Sequence, residues 1–306
     1  MEHNALVMDL LGPSLEDYFR AMDRKWSLKT VCLVAIQVLE RIEYVHSKGY
    51  VYSDIKPENF LTGLAEEHLD NTVYLIDFGL AQQFKDKDTG KYCYDENLKT
   101  HPIGTMRYMS VRSHEGRSQS YRDDLESIGY LIIYFLRGRL PWQGMGIKDR
   151  QKKVKAVGLR KKTIPLDELC ANCPPQLQDY IKYVRSIQFY AEPKYERLRG
   201  FFAAVMQANG WVDDGQLDWM GKNFDFSKNK KSDSGFGRPG SGEEGEAEGT
   251  EGETAEKRKS VAVKPRRPPT PAVTEEGEER PVVRKQGIVA GKGGHGSHSG
   301  SLVGVF

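Results

Sequence analysis

The residues best suited to chemistry lie in Tyr52-Ser53-Asp54-Ile55-Lys56-Pro57-Glu58-Asn59, followed at a loop's distance by Asp77-Phe78-Gly79. Moving a phosphoryl group needs Mg²⁺ held by oxygen ligands, a group that orients the attacking hydroxyl, and a cation over the charge that develops in transfer. Asp54 suits the hydroxyl, Lys56 the charge, and Asn59 with Asp77 the metal, because a hard cation takes oxygen donors. The bland reading is polar loop residues brought together by chance. Against it stands the order: D-x-K-x-x-N, an apolar strand, then D-F-G is a specific combination, although either piece alone is weak.

These residues need a frame. Ala5-Leu6-Val7-Met8 reads as a buried strand ending at Asp9. Ser14, with Asp17 three residues on, resembles a capping box opening a helix to about Met22. Ser27 caps a long helix with Leu28, Val31, Cys32, Ala35, Ile36, Leu39, Ile42 and Val45 on one face, and Gly49 stops it. Tyr50–Tyr52 and Val73–Ile76 are short strand candidates. Gly79 to Arg117 has little periodicity and reads as a long functional loop. Asp124 to Leu136 is apolar nearly all round, so it is expected to be the central helix, with Pro141-Trp142 after it. Further helices are expected at 148–157, 175–186 and 195–208. The fold class is α+β and mainly α.

Composition divides the chain. All four Trp and all four Cys precede residue 228, whereas the last 79 residues hold 15 of the 31 Gly. Seven Glu in 243–256 precede six Lys/Arg in 257–267; such blocks read as a solvated, disordered tail without a core of its own. In that tail Pro265–Pro271 could dock an SH3 domain, and Ser260 or Thr270 could be phosphorylated, against the bland reading of an inert linker. A net charge of +2 argues against a dedicated nucleic-acid binder. No apolar run reaches the ~20 residues of a membrane span. The N-terminus has no signal-peptide pattern, so reduced thiols in the cytosol or nucleus are expected. Cys170-Ala171-Asn172-Cys173 lacks a second ligand pair and reads as ordinary thiols. His46, near the end of the long helix, reads as structural. Lys148 to Lys162 holds eight Lys/Arg against one Asp, a strip that either attracts phosphate or carboxylate chains or is simply a solvated helix face.

The chain resembles the eukaryotic protein kinases, and within them the casein kinase I family. The carrying segments are Val7–Asp17, Asp54–Leu61, Gly104-Thr105-Met106-Arg107-Tyr108-Met109-Ser110, Arg122–Ser127 and Leu140-Pro141-Trp142-Gln143-Gly144. The resemblance covers about residues 4–220. It implies a kinase domain over 1–222, comprising hinge and large C-terminal lobe, with a disordered tail over 223–306. Aminoglycoside-type phosphotransferases share the Asp and Asn spacing, but Lys56 and Asp77-Phe78-Gly79 favour a protein kinase.

The resemblance also implies roles. Met8 would be the gatekeeper, and Asp9, Leu10 and Leu11 the hinge bonding the adenine of ATP. Leu61 and Ile76 would floor the base. Thr105 would bond Asp54 and Lys56, Asp124 would anchor the catalytic loop, and Tyr52 would pack under Phe78. Arg107 and Lys152 match the family's anion site, implying acidic or phosphorylated protein substrates.

Three departures accompany it. Ser53 stands where the family has Arg, so phosphate-driven ordering of the activation segment through that residue is not expected. Arg112 replaces a usual Asn, with no effect assigned. The small β-rich lobe, with its Gly-rich loop and strand Lys, is missing from the sequence, which reads as a truncated product or a misplaced start. Two functions follow: a Ser/Thr kinase whose activity in this chain alone is expected to be negligible, or a pseudokinase that docks acidic or phosphorylated partners without transfer.

Overall fold

The computed structural model describes residues 7–226. Ala5, Leu6, Ser260, Thr270, the charge blocks and the proline-rich stretch lie outside the described residues.

The first helix, α1 (Leu15–Ala21), begins where the sequence places it. Ser14 Oγ accepts the Asp17 N–H at 3.1 Å, and the Asp17 carboxylate accepts the Ser14 N–H in return. The long helix α2 (Leu28–Ser47) is capped by Ser27 and closes at Lys48, just before Gly49. It buries Val31, Val34, Ala35, Val38, Leu39 and Ile42 against α4 (Tyr121–Arg137) and α8 (Tyr195–Ala208). At about 1.5–3 kcal/mol for each fully buried aliphatic side chain, this interface is a main source of stability. An aromatic cluster ties α1 to α4 and to the last described residues. Trp26 stacks on Phe135 at 4.4 Å, and Tyr18 stacks on Trp219 at 4.8 Å.

Two small antiparallel sheets lie among the helices. Strand β1 (Tyr50–Val51) pairs with β4 (Gln82–Gln83), while β2 (Phe60–Thr62) pairs with β3 (Val73–Leu75) in the register Phe60↔Leu75 and Thr62↔Val73. The second pair determines the site, because it brings the chain just after Asn59 beside the chain entering Asp77. The remaining helices are α3 (Val111–His114), α5 (Arg150–Thr163), α6 (Leu166–Leu169) and α7 (Pro175–Ser186). Expected helices at 175–186 and 195–208 match α7 and α8.

Several expectations need correction. The segment at Val7 and Met8 is not a buried strand. Val7 is 93% exposed and Leu10 79%; no strand lies alongside among the described residues, and an extended segment needs a partner for its N–H and C=O groups. The long loop of 79–117 contains β4 and α3. The central helix starts three residues early, at Tyr121, because the Asp123 carboxylate takes the Ser120 N–H at 2.8 Å. Helix α5 runs six residues beyond the expected end, carried by a buried face at Val157, Gly158 and Lys161. Gly158 serves a close approach: a Cβ there would lie 2.6 Å from that of His114. No described helix is long and apolar enough to cross a membrane.

Candidate active site

The loop from Tyr52 to Asn59 is held from below by Asp124, in the first turn of α4. The buried Asp124 carboxylate accepts the Tyr52 N–H at 2.7 Å and the Ser53 N–H at 2.8 Å. His46 Nε2 contacts the same carboxylate at 2.9 Å, while its Nδ1 meets the Tyr195 hydroxyl. This network holds Ser53 at φ +70°, a left-handed conformation uncommon for a residue with a side chain.

Asp54 is buried to 5% exposure and has defined partners. Thr105 Oγ1 donates to Oδ1 at 2.7 Å, and Lys56 Nζ donates to Oδ2 at 2.6 Å. Asn59 Nδ2 donates to the Asp54 carbonyl at 3.1 Å and to the Tyr52 hydroxyl at 2.8 Å. The Tyr52 hydroxyl then donates to the Ile76 carbonyl at 2.6 Å. Burial pushes the Tyr52 phenol far above its usual range, so it remains a neutral donor. Its ring packs against Phe78 edge-on, with centroids 5.5 Å apart. Thr105 reaches Asp54 as expected, but makes no hydrogen bond to Lys56 among the described residues.

The β2–β3 pair positions the oxygen donors. The Ile76 N–H donates to the Asn59 carbonyl at 3.0 Å, so Asp77 follows directly from a residue bonded to Asn59. Asp77 is exposed, has φ +62°, and uses Oδ1 to accept the Gly79 N–H at 3.1 Å. With its amide nitrogen engaged, Asn59 has a carbonyl oxygen with no hydrogen-bond partner among the described residues. Both side chains therefore offer the hard oxygen that Mg²⁺ takes. Above the loop, Gly104 has φ +105°, and a Cβ there would sit 2.5 Å from the Ser53 carbonyl oxygen; only glycine lets the two segments approach so closely.

The residues expected around adenine are placed in two groups. Leu61 on β2 and Ile76 just beyond β3 are half-buried neighbours of the catalytic loop. Met8, Asp9 and Leu10 are exposed, and Leu11 is half-buried. The chain after them joins β2, with the Gly12 N–H on the Thr62 carbonyl at 2.8 Å.

The basic strip is less uniform than its sequence. Lys161 is fully buried, Arg160 pairs with Glu168, and Lys162 pairs with Glu115 at 2.7 Å. Lys148, Arg150, Lys152 and Lys155 remain exposed, with Asp149 used as the N-cap of α5. Arg107 is half-buried over the rings of Tyr108 and Tyr134, at 5.7 and 5.6 Å. Lys152 is thus open to solvent, whereas Arg107 is packed.

Arg112 donates to the Arg185 carbonyl at 3.2 Å and lies 3.9 Å from the buried Glu126, which Arg185 also approaches at 3.4 Å. Arg122, itself buried, reaches Glu96 in the long loop at 2.6 Å. This contact tethers the loop without an arginine at position 53. Glu126, Lys161 and Tyr195 were not legible as supporting residues in sequence, because Arg112 and Arg185 reach Glu126, the Met106 and Met109 carbonyls reach Lys161, and His46 reaches Tyr195, all from other elements. The four cysteines are free thiols, and no metal-binding cluster of His, Cys, Asp and Glu occurs among the described residues. Burial pushes Cys170 up to about 12 and Cys173 to about 11, which makes them poor nucleophiles.

The protein kinase domain family matches residues 1–188. Casein kinase I homolog 2 of Schizosaccharomyces pombe is 45% identical over 230 residues, spanning 74% of this chain and 52% of its own length. Casein kinase I homolog 3 of the same yeast is 42% identical over 234 residues, spanning 75% and 53%. Casein kinase I homolog 1 of Saccharomyces cerevisiae is 43% identical over 242 residues, spanning 78% and 45%. The chain thus spans about half the length of the curated relatives it matches.

Proposed function

Because the chain belongs to the protein kinase family, in its casein kinase I branch, we propose that it provides the transfer site of a Ser/Thr kinase that moves the ATP γ-phosphate to acidic or phosphate-primed proteins. The observation that carries this reading is the fixed carboxylate of Asp54, bonded on one oxygen by Thr105 and on the other by Lys56.

Asp54 orients the Ser or Thr hydroxyl of the acceptor and takes its proton as transfer proceeds. Thr105 and Lys56 restrict the carboxylate to one orientation, and a correctly oriented attacking group can account for several kcal/mol of barrier. The Lys56 ammonium also offsets charge developing on the phosphoryl oxygens. Asn59 and Asp77 would hold Mg²⁺, which supplies further neutralisation of phosphate charge when bound. Met8 to Leu11, with Leu61 and Ile76, are the proposed adenine contacts. Exposed Lys152 and its neighbours on α5 favour acidic acceptors, and Arg107 is assigned to the same anion site.

The test is phosphate transfer from ATP and Mg²⁺ to an acidic peptide primed with phosphoserine, with peptide binding measured separately. Asp54→Asn should lower transfer by about 10²–10⁴-fold, the range of a general base, while leaving binding intact. Transfer that Asp54→Asn leaves unchanged would overturn the assignment of Asp54.

A further inference from the structure

Lys161 is the deepest charged group of α5, with no exposed surface. Its ammonium donates to the Met109 carbonyl at 2.7 Å and the Met106 carbonyl at 3.0 Å. It lies 4.9 Å from the ring centres of both Tyr130 and Trp142. A buried ammonium is costly; burial drives this one toward the neutral form, while the buried carboxylate of Glu126 opposes that shift. Carbonyl oxygens and aromatic faces offset the rest of that cost. The same Trp142 donates its indole N–H to the Arg107 carbonyl at 2.8 Å. Donors from α5 and from the Trp142 turn therefore hold three of the four carbonyls between Met106 and Met109.

The consequences lie on either side of that turn. The N–H groups of Tyr108 and Met109 both donate to the Thr105 carbonyl at 2.9 Å, closing the turn on Thr105. Thr105 then reaches Asp54 through its hydroxyl. On the far side, Ser110 Oγ donates to Asp123 at 2.6 Å. The turn joining these anchors carries Arg107.

We propose that Lys161, together with Trp142, is a positioning clamp: by holding the main chain of Met106–Met109 it places Thr105 against Asp54 and sets Arg107 for the acceptor, although neither clamp residue is part of the catalytic set. The inference rests on the transfer reading above for its effect on turnover, but its structural consequence can be measured without turnover.

The experiment uses the full chain carrying Lys161→Met, which keeps side-chain length and removes the ammonium, and Trp142→Phe, which keeps a ring and removes the N–H. Amide hydrogen exchange over 103–110 is compared with exchange in α2 and α4. Affinity for a phosphoserine-containing acidic peptide is measured alongside. Lys161→Met removes both hydrogen bonds and should speed exchange over 103–110 by at least about tenfold, with α2 and α4 unchanged. Peptide binding should weaken by roughly 5- to 10-fold, and Arg107→Ala should add little further loss in the double variant, as expected for residues acting as a unit. Where transfer is measured, KM for the peptide should rise while KM for ATP stays the same. Trp142→Phe should shift exchange and binding the same way to a smaller degree, and it decides the matter if Lys161→Met does not fold. Unchanged exchange over 103–110 in the folded variants overturns the clamp. Altered exchange together with transfer that Asp54→Asn leaves unchanged upholds the clamp and refutes the transfer reading.

Discussion

Thr105 and Asp54 stand 51 positions apart in the chain and are joined by a 2.7 Å hydrogen bond. The bond connects the long loop to the catalytic loop at the atom expected to face the acceptor. The other Asp54 oxygen is held by Lys56, only two residues away. One constraint is thus local, and the other exists only when the long loop is in place.

Removing the distant constraint should slow transfer without unfolding the protein. Thr105→Val keeps the shape and deletes the donor. It should reduce kcat by about 10- to 100-fold, the scale of a misplaced reacting group, and lower stability by only ~1 kcal/mol. Thr105→Ser should retain most of the rate. Steady-state kinetics with an acidic peptide checks both variants, and a Val variant as fast as wild type would show that Lys56 and Asn59 orient Asp54 without Thr105.

The anchor beneath the loop should matter more for stability. Asp124 accepts two main-chain N–H groups and contacts His46. In Asp124→Asn only one oxygen remains to accept, and an NH₂ group faces a donor. The expected loss is about 2–4 kcal/mol, since hydrogen bonds to a charged group contribute more than neutral ones and a buried donor is left unsatisfied. Urea unfolding measures it, with exchange at Tyr52 and Ser53 rising first. An unchanged midpoint would mean that the loop conformation is fixed elsewhere.

Acid sensitivity should trace in part to His114. Burial and the Lys161 ammonium push its imidazole down to about 3. Unfolded histidine titrates near about 6.5. Between these values the unfolded chain binds the extra proton, so stability is full above pH ~6.5 and falls as pH drops through that window, by at most ~1.4 kcal/mol per unit. His114→Leu should flatten this part of the profile. Urea midpoints at neutral pH and near pH ~4.5 compare the two slopes, and equal slopes would assign the acid loss to other groups.

Much of the frame is legible in the sequence. Ser14 with Asp17, the apolar face of α2, and the ends of α7 and α8 are local signals, set by capping chemistry and by a repeat of 3.6 residues per turn. The order of Asp54, Lys56, Asn59 and Asp77 was equally plain, because the proposed catalytic and metal loops carry their residue types in sequence. The errors came where a partner was assumed. Val7 and Met8 have the composition of a buried strand but meet no strand among the described residues.

The basic run shows the division most clearly. Eight cations between Lys148 and Lys162 look alike in sequence, and charge alone predicts one solvated strip. Sequence by itself determined the types and order of the reactive side chains, since these are properties of neighbouring residues. Tertiary structure decided that Lys161 turns inward to the carbonyls of Met106 and Met109, and that Thr105 meets Asp54. A helix face becomes interior only through what packs on it, and a hydrogen bond between distant residues exists only once the chain between them has folded.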